Sequence, residues 1–252
     1  LRCLVGSEMC IRDSLMTNHE YGALIRAWCS MSNKTGVRIV QQEIPIPLVS
    51  KEKFKNDFWS GVSDKTKVIF ISHITSPTAL ILPIKEIIQM AKSRGILTIV
   101  DGAHVPGHIP LNINDLGCDF YTGALHKWLC MPKGTTFLYV KKAHQNWVSP
   151  VVKSWGDEGE DPGPSNFLKE FQWQGTNDLS SFLTVPSAIN FFNKHIKQNK
   201  NDCFLLASEA SSKFNQILGT NRIYEGGNWI GQMVAHPLPK NAPEDLKDIL
   251  LK

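Results

Sequence analysis

The stretch KVIFISHITSPTALILPIKEIIQMAKSRGILTIVD, residues 67–101, decides the fold class. Its opening run, Lys67–Ser72, is apolar and β-rich without polar alternation, the pattern of a strand buried on both faces. Pro83 then opens a helical period in which Ile84, Ile87, Ile88 and Ala91 share one face and Gly95 marks the stop. A second buried strand, Ile96–Val100, ends at Asp101. Strand, helix and strand in this order predict a parallel α/β sheet.

The same alternation extends in both directions. Upstream, LIRAW after NHEYGA reads as a short helix and VRIVQQEIPI (37–46) as a strand. Downstream come FYTGALHKW (120–128) and the strand TTFLYV (Thr135–Val140), which follows a Lys133-Gly134 turn. DEGEDPGPS, Asp157–Ser165, is acidic and rich in Pro and Gly, and reads as a loop. Helices fit Pro186–Lys197 and Cys203–Leu218. WIGQMVAHPLP (229–239) reads as a strand opening a smaller C-terminal unit, followed by an N-capped helix from near Ala242. No internal repeat or low-complexity tract interrupts the pattern.

Composition bounds the function classes. With 252 residues, 42% hydrophobic and 20% charged, the chain is globular rather than disordered, coiled-coil or collagen-like. A net charge of +4, from 27 basic and 23 acidic residues spread evenly, gives no footprint for nucleic acid. No run approaches the ~18 apolar residues of a membrane span, which predicts a soluble protein, placed in the cytoplasm by its cysteine usage. The cysteines (Cys3, Cys10, Cys29, Cys118, Cys130 and Cys203) form no CxxC pair, so free thiols in a reducing compartment are expected. LRCLVGSEMCIRDS, residues 1–14, lacks the architecture of a signal peptide and resembles translated adapter sequence. It is set aside as a non-native or disordered segment.

Three polar residues fall where strands end: His73, Asp101 and Lys127. Ligands of open α/β sheets bind outside the carboxyl ends of the strands. An acid leaving an apolar strand is costly to bury without a cationic partner. A lysine flanked by His126 and Trp128 can be desolvated into a usable amine nucleophile. That pairing points to a Schiff-base lysine with an aspartate facing a pyridinium nitrogen, as pyridoxal phosphate demands. The plain alternative, with Asp101 capping a helix and Lys127 solvated, stays open on spacing alone. His73 has two readings, a pocket residue or a hydrogen-bonded structural one. His108, His144, His195 and His236 show no partner pattern, and a zinc site from His104 and His108 is disfavoured by Pro106 and Gly107 between them.

VDGAHVPGHIPLNINDLGCDFYTGALHKWLCMPKGTTFLYV (100–140) resembles the cofactor-binding core of the class V aminotransferase family, which includes cysteine desulfurases. NHEYGA, SHITSPTALILPI and WQGTND are most similar to its isopenicillin N epimerase-like subgroup, and the resemblance runs from about Leu15, weakening after Phe191. It implies a fold-type-I large domain, a mostly parallel sheet with helices on both faces, over residues 15–218, and the start of a small C-terminal α+β domain over residues 219–252. It also implies pyridoxal 5'-phosphate as cofactor. Lys127 would form the Schiff base and later move the Cα proton, while Asp101 would keep the ring nitrogen protonated. His104 would bond the phenolic oxygen, and Tyr21 would stack on the ring. Gly123 and His126 would lie on the phosphate side, though relatives often carry Ser or Thr in place of Gly123. Ser76, with Thr75 beside it, would sit near the phenolic oxygen or substrate, and His73 would line the substrate side. Gly175 and Thr176 would reach the partner's phosphate in a homodimer, where Asn177 replaces the subgroup's common arginine.

The implied activity is a pyridoxal phosphate-dependent reaction on an amino-acid or small-peptide substrate, epimerase-like. A cysteine desulfurase or other C–S lyase is the alternative, although no cysteine here sits convincingly in a mobile acceptor loop. A non-catalytic binding or scaffold homologue is the alternative of another class, opposed by retention of Lys127, Asp101 and His104. The chain reads as a fragment truncated at both ends. It lacks a recognisable upstream phosphate cradle, and after Lys127 its only arginine is Arg222. The expectation is weak cofactor binding and no turnover for the chain as given.

Overall fold

The computed structural model of the chain describes residues 13–158, 164–226 and 228–250. Six strands form one sheet in the order β2-β1-β3-β4-β5-β6. They are β1 (Asp13–Thr17), β2 (Arg38–Gln42), β3 (Thr66–Ser72), β4 (Leu97–Asp101), β5 (Phe120–Ala124) and β6 (Thr136–Val140). The first five run parallel, and β6 closes the edge antiparallel to β5. This is the mostly parallel α/β sheet that residues 67–101 predict.

Alternation along β3 explains its uninterrupted apolar run. Ile69 and Ile71 enter one core with Phe54 and Phe58 of α2 (Lys51–Trp59) and with Ile84, Ile87, Ile88 and Ala91 of α3 (Ile84–Ser93). Val68 and Phe70 point the other way, against Met16 and against Trp28 of α1 (Gly22–Thr35). Helices on both faces thus demand apolar residues at each position from Val68 to Ile71. α1 is longer than the LIRAW run because it continues to a left-handed Gly36 C-cap. Beyond the sheet lie α4 (Ile113–Leu116), α5 (Trp155–Glu158), α6 (Asn166–Gln172), α7 (Ser180–Leu183), α8 (Val185–Phe191) and α9 (Lys200–Leu218), before a short helix at Leu246–Leu250. A π turn, Phe192–Ile196, follows α8. No helix among the described residues is long and apolar enough to cross a membrane.

Three segments differ from their sequence expectation. β1 begins at Asp13, inside the segment set aside, and Asp13 accepts from the Nε and Nη2 of Arg38 on β2; residues 1–12 lie outside the described residues. Asp157 and Glu158 end a helical turn rather than open a loop, and residues 159–163 of that expected loop lie outside the described residues. WIGQMVAHPLP is not a strand. Trp229 and Ile230 bury their side chains in the main core with Ile223 and Tyr224. The backbone groups of this strap go to single partners: the Trp229 carbonyl accepts from Ile81, and Gln232 N–H donates to His108 Nε2.

Ile71 has no exposed surface and sits where β3 meets α3. Ile71→Ala is expected to cost about 2–5 kcal/mol, the range for a buried aliphatic truncation. Urea unfolding followed by circular dichroism measures it, and a loss below about 1 kcal/mol would contradict a tightly packed β3–α3 seam.

Candidate active site

The register of three parallel strands builds the site. Ser72 on β3 pairs with Asp101 on β4, and Asp101 pairs with Thr122 on β5, so β3 and β4 end in one row while β5 runs two residues further, toward Lys127. The row extends past the strand ends, where His73 N–H donates to the Asp101 carbonyl and Gly102 N–H to the Thr122 carbonyl. Gly102 has to be glycine, because a Cβ there would lie 2.2 Å from the Tyr121 ring.

Asp101 is buried, and its Oδ1 accepts from Ala103 N–H. Burial holds its carboxyl above the ordinary range, against the opposing pull of the Ala103 amide and the Lys127 charge. Lys127 follows β5 and is half-buried, which lowers its ammonium pKa, while Asp101 acts in the opposite sense. Its Nζ lies 3.0 Å from His104 Nε2. Burial first, and the Lys127 charge second, push His104 down to about 4, so its imidazole is neutral. When Nε2 accepts from the ammonium, Nδ1 must carry the imidazole proton. Among the described residues that Nδ1, which is buried, has no partner, nor does the buried indole nitrogen of Trp128 beside Lys127. An orphaned donor next to an amine and a buried carboxyl fits an anionic oxygen on a ligand with a basic ring nitrogen. Asp101, His104 and Lys127 therefore meet, and their chemistry suits the cofactor that the sequence implies.

The other expected residues divide. Tyr21 is 51% exposed, and its carbonyl opens α1 by accepting from Leu24 and Ile25. His126 is tied through Nδ1 to the Thr135 carbonyl, which makes Nδ1 the donor and leaves Nε2 bare in the neutral ring. A Cβ on Gly123 would lie 2.3 Å from the ring of Phe137, its cross-strand partner on β6, so Phe137 occupies the space of the Ser or Thr expected there. Ser76 is half-buried in the turn after β3. Gly175 and Thr176 lie between α6 and α7, Gly175 left-handed at φ 104° and Thr176 exposed.

Two assigned side chains are already engaged within the protein. Thr75 has no exposed surface, and its hydroxyl is held by Leu80 N–H and by Thr78 Oγ1 within its own turn. His73 is buried with Nδ1 3.0 Å from the Tyr121 hydroxyl, and burial lowers it to about 4. This contact is the one the hydrogen-bonded structural reading describes. Arg222 donates to Ser212 Oγ and lies over the Tyr224 ring. Among the described residues no three His, Cys, Asp or Glu side chains are grouped to hold a metal ion.

Sequence reasoning missed three participants. Tyr121 supplies the hydroxyl for His73, and the glycine directly after Asp101 was its signal. His108 donates from Nδ1 to the His104 carbonyl and receives Gln232 N–H at Nε2, which ties the C-terminal strap to the loop carrying His104. Glu20, adjacent to Tyr21, is buried at the ends of β1 and β3.

The chain is similar to known proteins. The family model for aminotransferase class V matches residues 11–250. Isopenicillin N epimerase of Amycolatopsis lactamdurans is 34% identical over 71% of this chain and 48% of its own length. A probable chloroplastic L-cysteine desulfhydrase of Arabidopsis thaliana is 28% identical over 71% of this chain and 39% of its own length. The chain thus spans about half the length, or less, of these curated relatives. Among solved structures, a cysteine desulfurase from Thermococcus onnurineus superposes with a TM-score of 0.75 at 18% identity, covering 99% of this chain and 63% of that one. The cysteine desulfurase CsdA of Escherichia coli gives a TM-score of 0.77 at 18% identity, covering 95% and 59%. These structures share the fold, so the expected fold-type-I architecture is the observed one. On the family match and the epimerase relative together, the chain belongs to the class V aminotransferase family.

Proposed function

We propose that this chain carries the catalytic core of a pyridoxal 5'-phosphate-dependent enzyme that acts at the Cα of an amino-acid or small-peptide substrate, in the manner of an epimerase. The observation that carries the reading is the convergence of Asp101, His104 and Lys127, with Lys127 Nζ 3.0 Å from His104 Nε2. Bound there, the cofactor supplies an electron-poor ring that labilises the bonds of the substrate's Cα.

The residues divide the work. Asp101 holds a proton on the ring nitrogen, and its burial strengthens that charge pairing. Lys127 anchors the cofactor through Nζ, whose burial favours the neutral amine more than in a solvated lysine, and the same nitrogen moves the Cα proton. The Nδ1–H of His104 donates to the phenolic oxygen, and the exposed ring of Tyr21 covers one face of the cofactor. Ser76 serves the same oxygen or the substrate. On the phosphate side Gly123 offers only backbone, and His126 contributes a donor at Nε2 when protonated. The working unit is a homodimer in which Gly175 and Thr176 reach the partner's phosphate. Large apolar side chains exposed on α7 and α9, Leu183 at 79% and Ile217 at 78%, support a second copy.

C–S lyase chemistry is a comparable second reading, favoured by the cysteine desulfhydrase among the relatives. Solvent deuterium entering Cα without sulfide release supports epimerisation; sulfide release from cysteine supports the lyase.

Borohydride reduction of the cofactor-saturated full-length protein, followed by peptide mapping, is expected to place the phosphopyridoxyl label on Lys127. Label on another lysine, or none, removes the assignment. Asp101→Asn is expected to fold and bind cofactor yet lose on the order of 100-fold or more in turnover, because a neutral amide cannot hold the ring nitrogen's charge. Near-normal turnover would show that Asp101 faces elsewhere.

The Lys127 amine is also expected to react with acetic anhydride in the cofactor-free chain with a midpoint below the ordinary lysine value of ~10.4. Since the Asp101 charge raises this pKa, Asp101→Asn is expected to move the midpoint further down. Peptide mapping across a pH series reads both, and an ordinary midpoint would contradict a desolvated Lys127.

A further inference from the structure

We propose that Glu20 is a positioning residue for the cofactor's ring-nitrogen partner: its carboxylate clamps the ends of β1 and β3 and sets a second carboxyl charge behind Asp101. This rests on the reading of Asp101 as the group that faces the ring nitrogen.

Glu20 is 2% exposed and lies in the turn between β1 and α1. Its Oε1 accepts from the Thr17 hydroxyl at 2.7 Å. Its Oε2 accepts from Ser72 N–H at 2.9 Å and from the Ser72 hydroxyl. Thr17 ends β1 and Ser72 ends β3, so one side chain ties two neighbouring strand ends. Ser72 is the register partner of Asp101, which places the clamp one strand from the candidate ring-nitrogen contact.

A clamp alone does not call for a charge. Among the described residues Glu20 has no cationic partner, and an acid buried without one is costly. The groups at this edge are His19 beside it, His73 next to Ser72, Asp101 on β4, Tyr121 on β5, and Lys127 with His104 beyond. His73 and His104 are held neutral by burial, each down to about 4. Burial also lifts Glu20 to about 7, against the Ser72 and Thr17 hydrogen bonds, and the Asp101 charge adds to the rise. Glu20 bonds Ser72, the register partner of Asp101, so the two carboxyls meet at neighbouring strand ends and their charges act on each other. Negative charge on Glu20 makes Asp101 harder to ionise and favours a proton on any basic nitrogen that Asp101 contacts. A neutral amide in the same space would keep much of the clamp and lose that bias.

The test compares wild type, Glu20→Gln and Ser72→Ala as full chains without cofactor. The Asp101 carboxyl is followed by carbon-13 NMR across pH, with Asp101→Asn identifying its signal. Glu20→Gln is expected to lower the Asp101 midpoint by roughly half a unit or more. Ser72→Ala removes a donor from Glu20, leaves it more often protonated, and is expected to shift Asp101 less in the same direction. In the chain loaded with pyridoxal phosphate, the pH midpoint of the visible absorbance band is expected to fall with Glu20→Gln, which a purely structural clamp would not cause. An unchanged Asp101 midpoint in a folded Glu20→Gln protein overturns the proposal. If that variant does not fold, an unchanged midpoint in Ser72→Ala overturns it. Failure of Lys127 to take the borohydride label would remove the cofactor reading while the cofactor-free titration still decides the coupling.

Discussion

The in-register row of Ser72, Asp101 and Thr122 is the constraint on which the site depends. Parallel strands deliver their carboxyl ends to one edge, so a residue that ends β4 meets residues that follow β5 without any long-range search. A one-residue slip of β4 would turn Asp101 to the opposite face and leave Lys127 beside an apolar side chain. The burial of β3 from both sides fixes the register, because Ile69 and Ile71 serve one core and Val68 and Phe70 the other.

Desolvation then sets the chemistry. The edge gathers two carboxyls, two imidazoles and an amine in a partly buried space, and the same burial acts on each by its sign. Carboxyls rise, while imidazoles and the amine fall. The result is a set of groups drawn toward neutrality before a ligand arrives. A ligand carrying both an anionic oxygen and a basic ring nitrogen restores charge partners to His104 and Asp101 together.

Periodicity made the β3–α3–β4 unit legible, because a strand buried on both faces and a helix with one apolar stripe leave distinct traces over residues 67–101. Asp101 and Lys127 were legible because polarity interrupts apolar runs at strand ends. Glu20 was not, since an acid in a short turn has the same sequence signature whether it is solvated or clamped by Thr17 and Ser72. Thr75 beside Ser76 shows the same ambiguity in reverse, a hydroxyl near the site consumed by its own turn. The Trp229–Pro239 stretch misled because its apolar content serves the core through Trp229 and Ile230 rather than a ladder. Whether a strand edge is free to accept an apolar run is a property of the assembled sheet.

The fit of Phe137 over Gly123 bears on how such a chain can change by descent. A serine at position 123 meets the ring at a distance no real Cβ tolerates, and a small residue at position 137 opens a void between β5 and β6. Each single step costs stability, and only the two together restore a hydroxyl at this strand. The pair is epistatic: the order of substitutions matters, and a lineage that has acquired the phenylalanine is held to glycine by its neighbour.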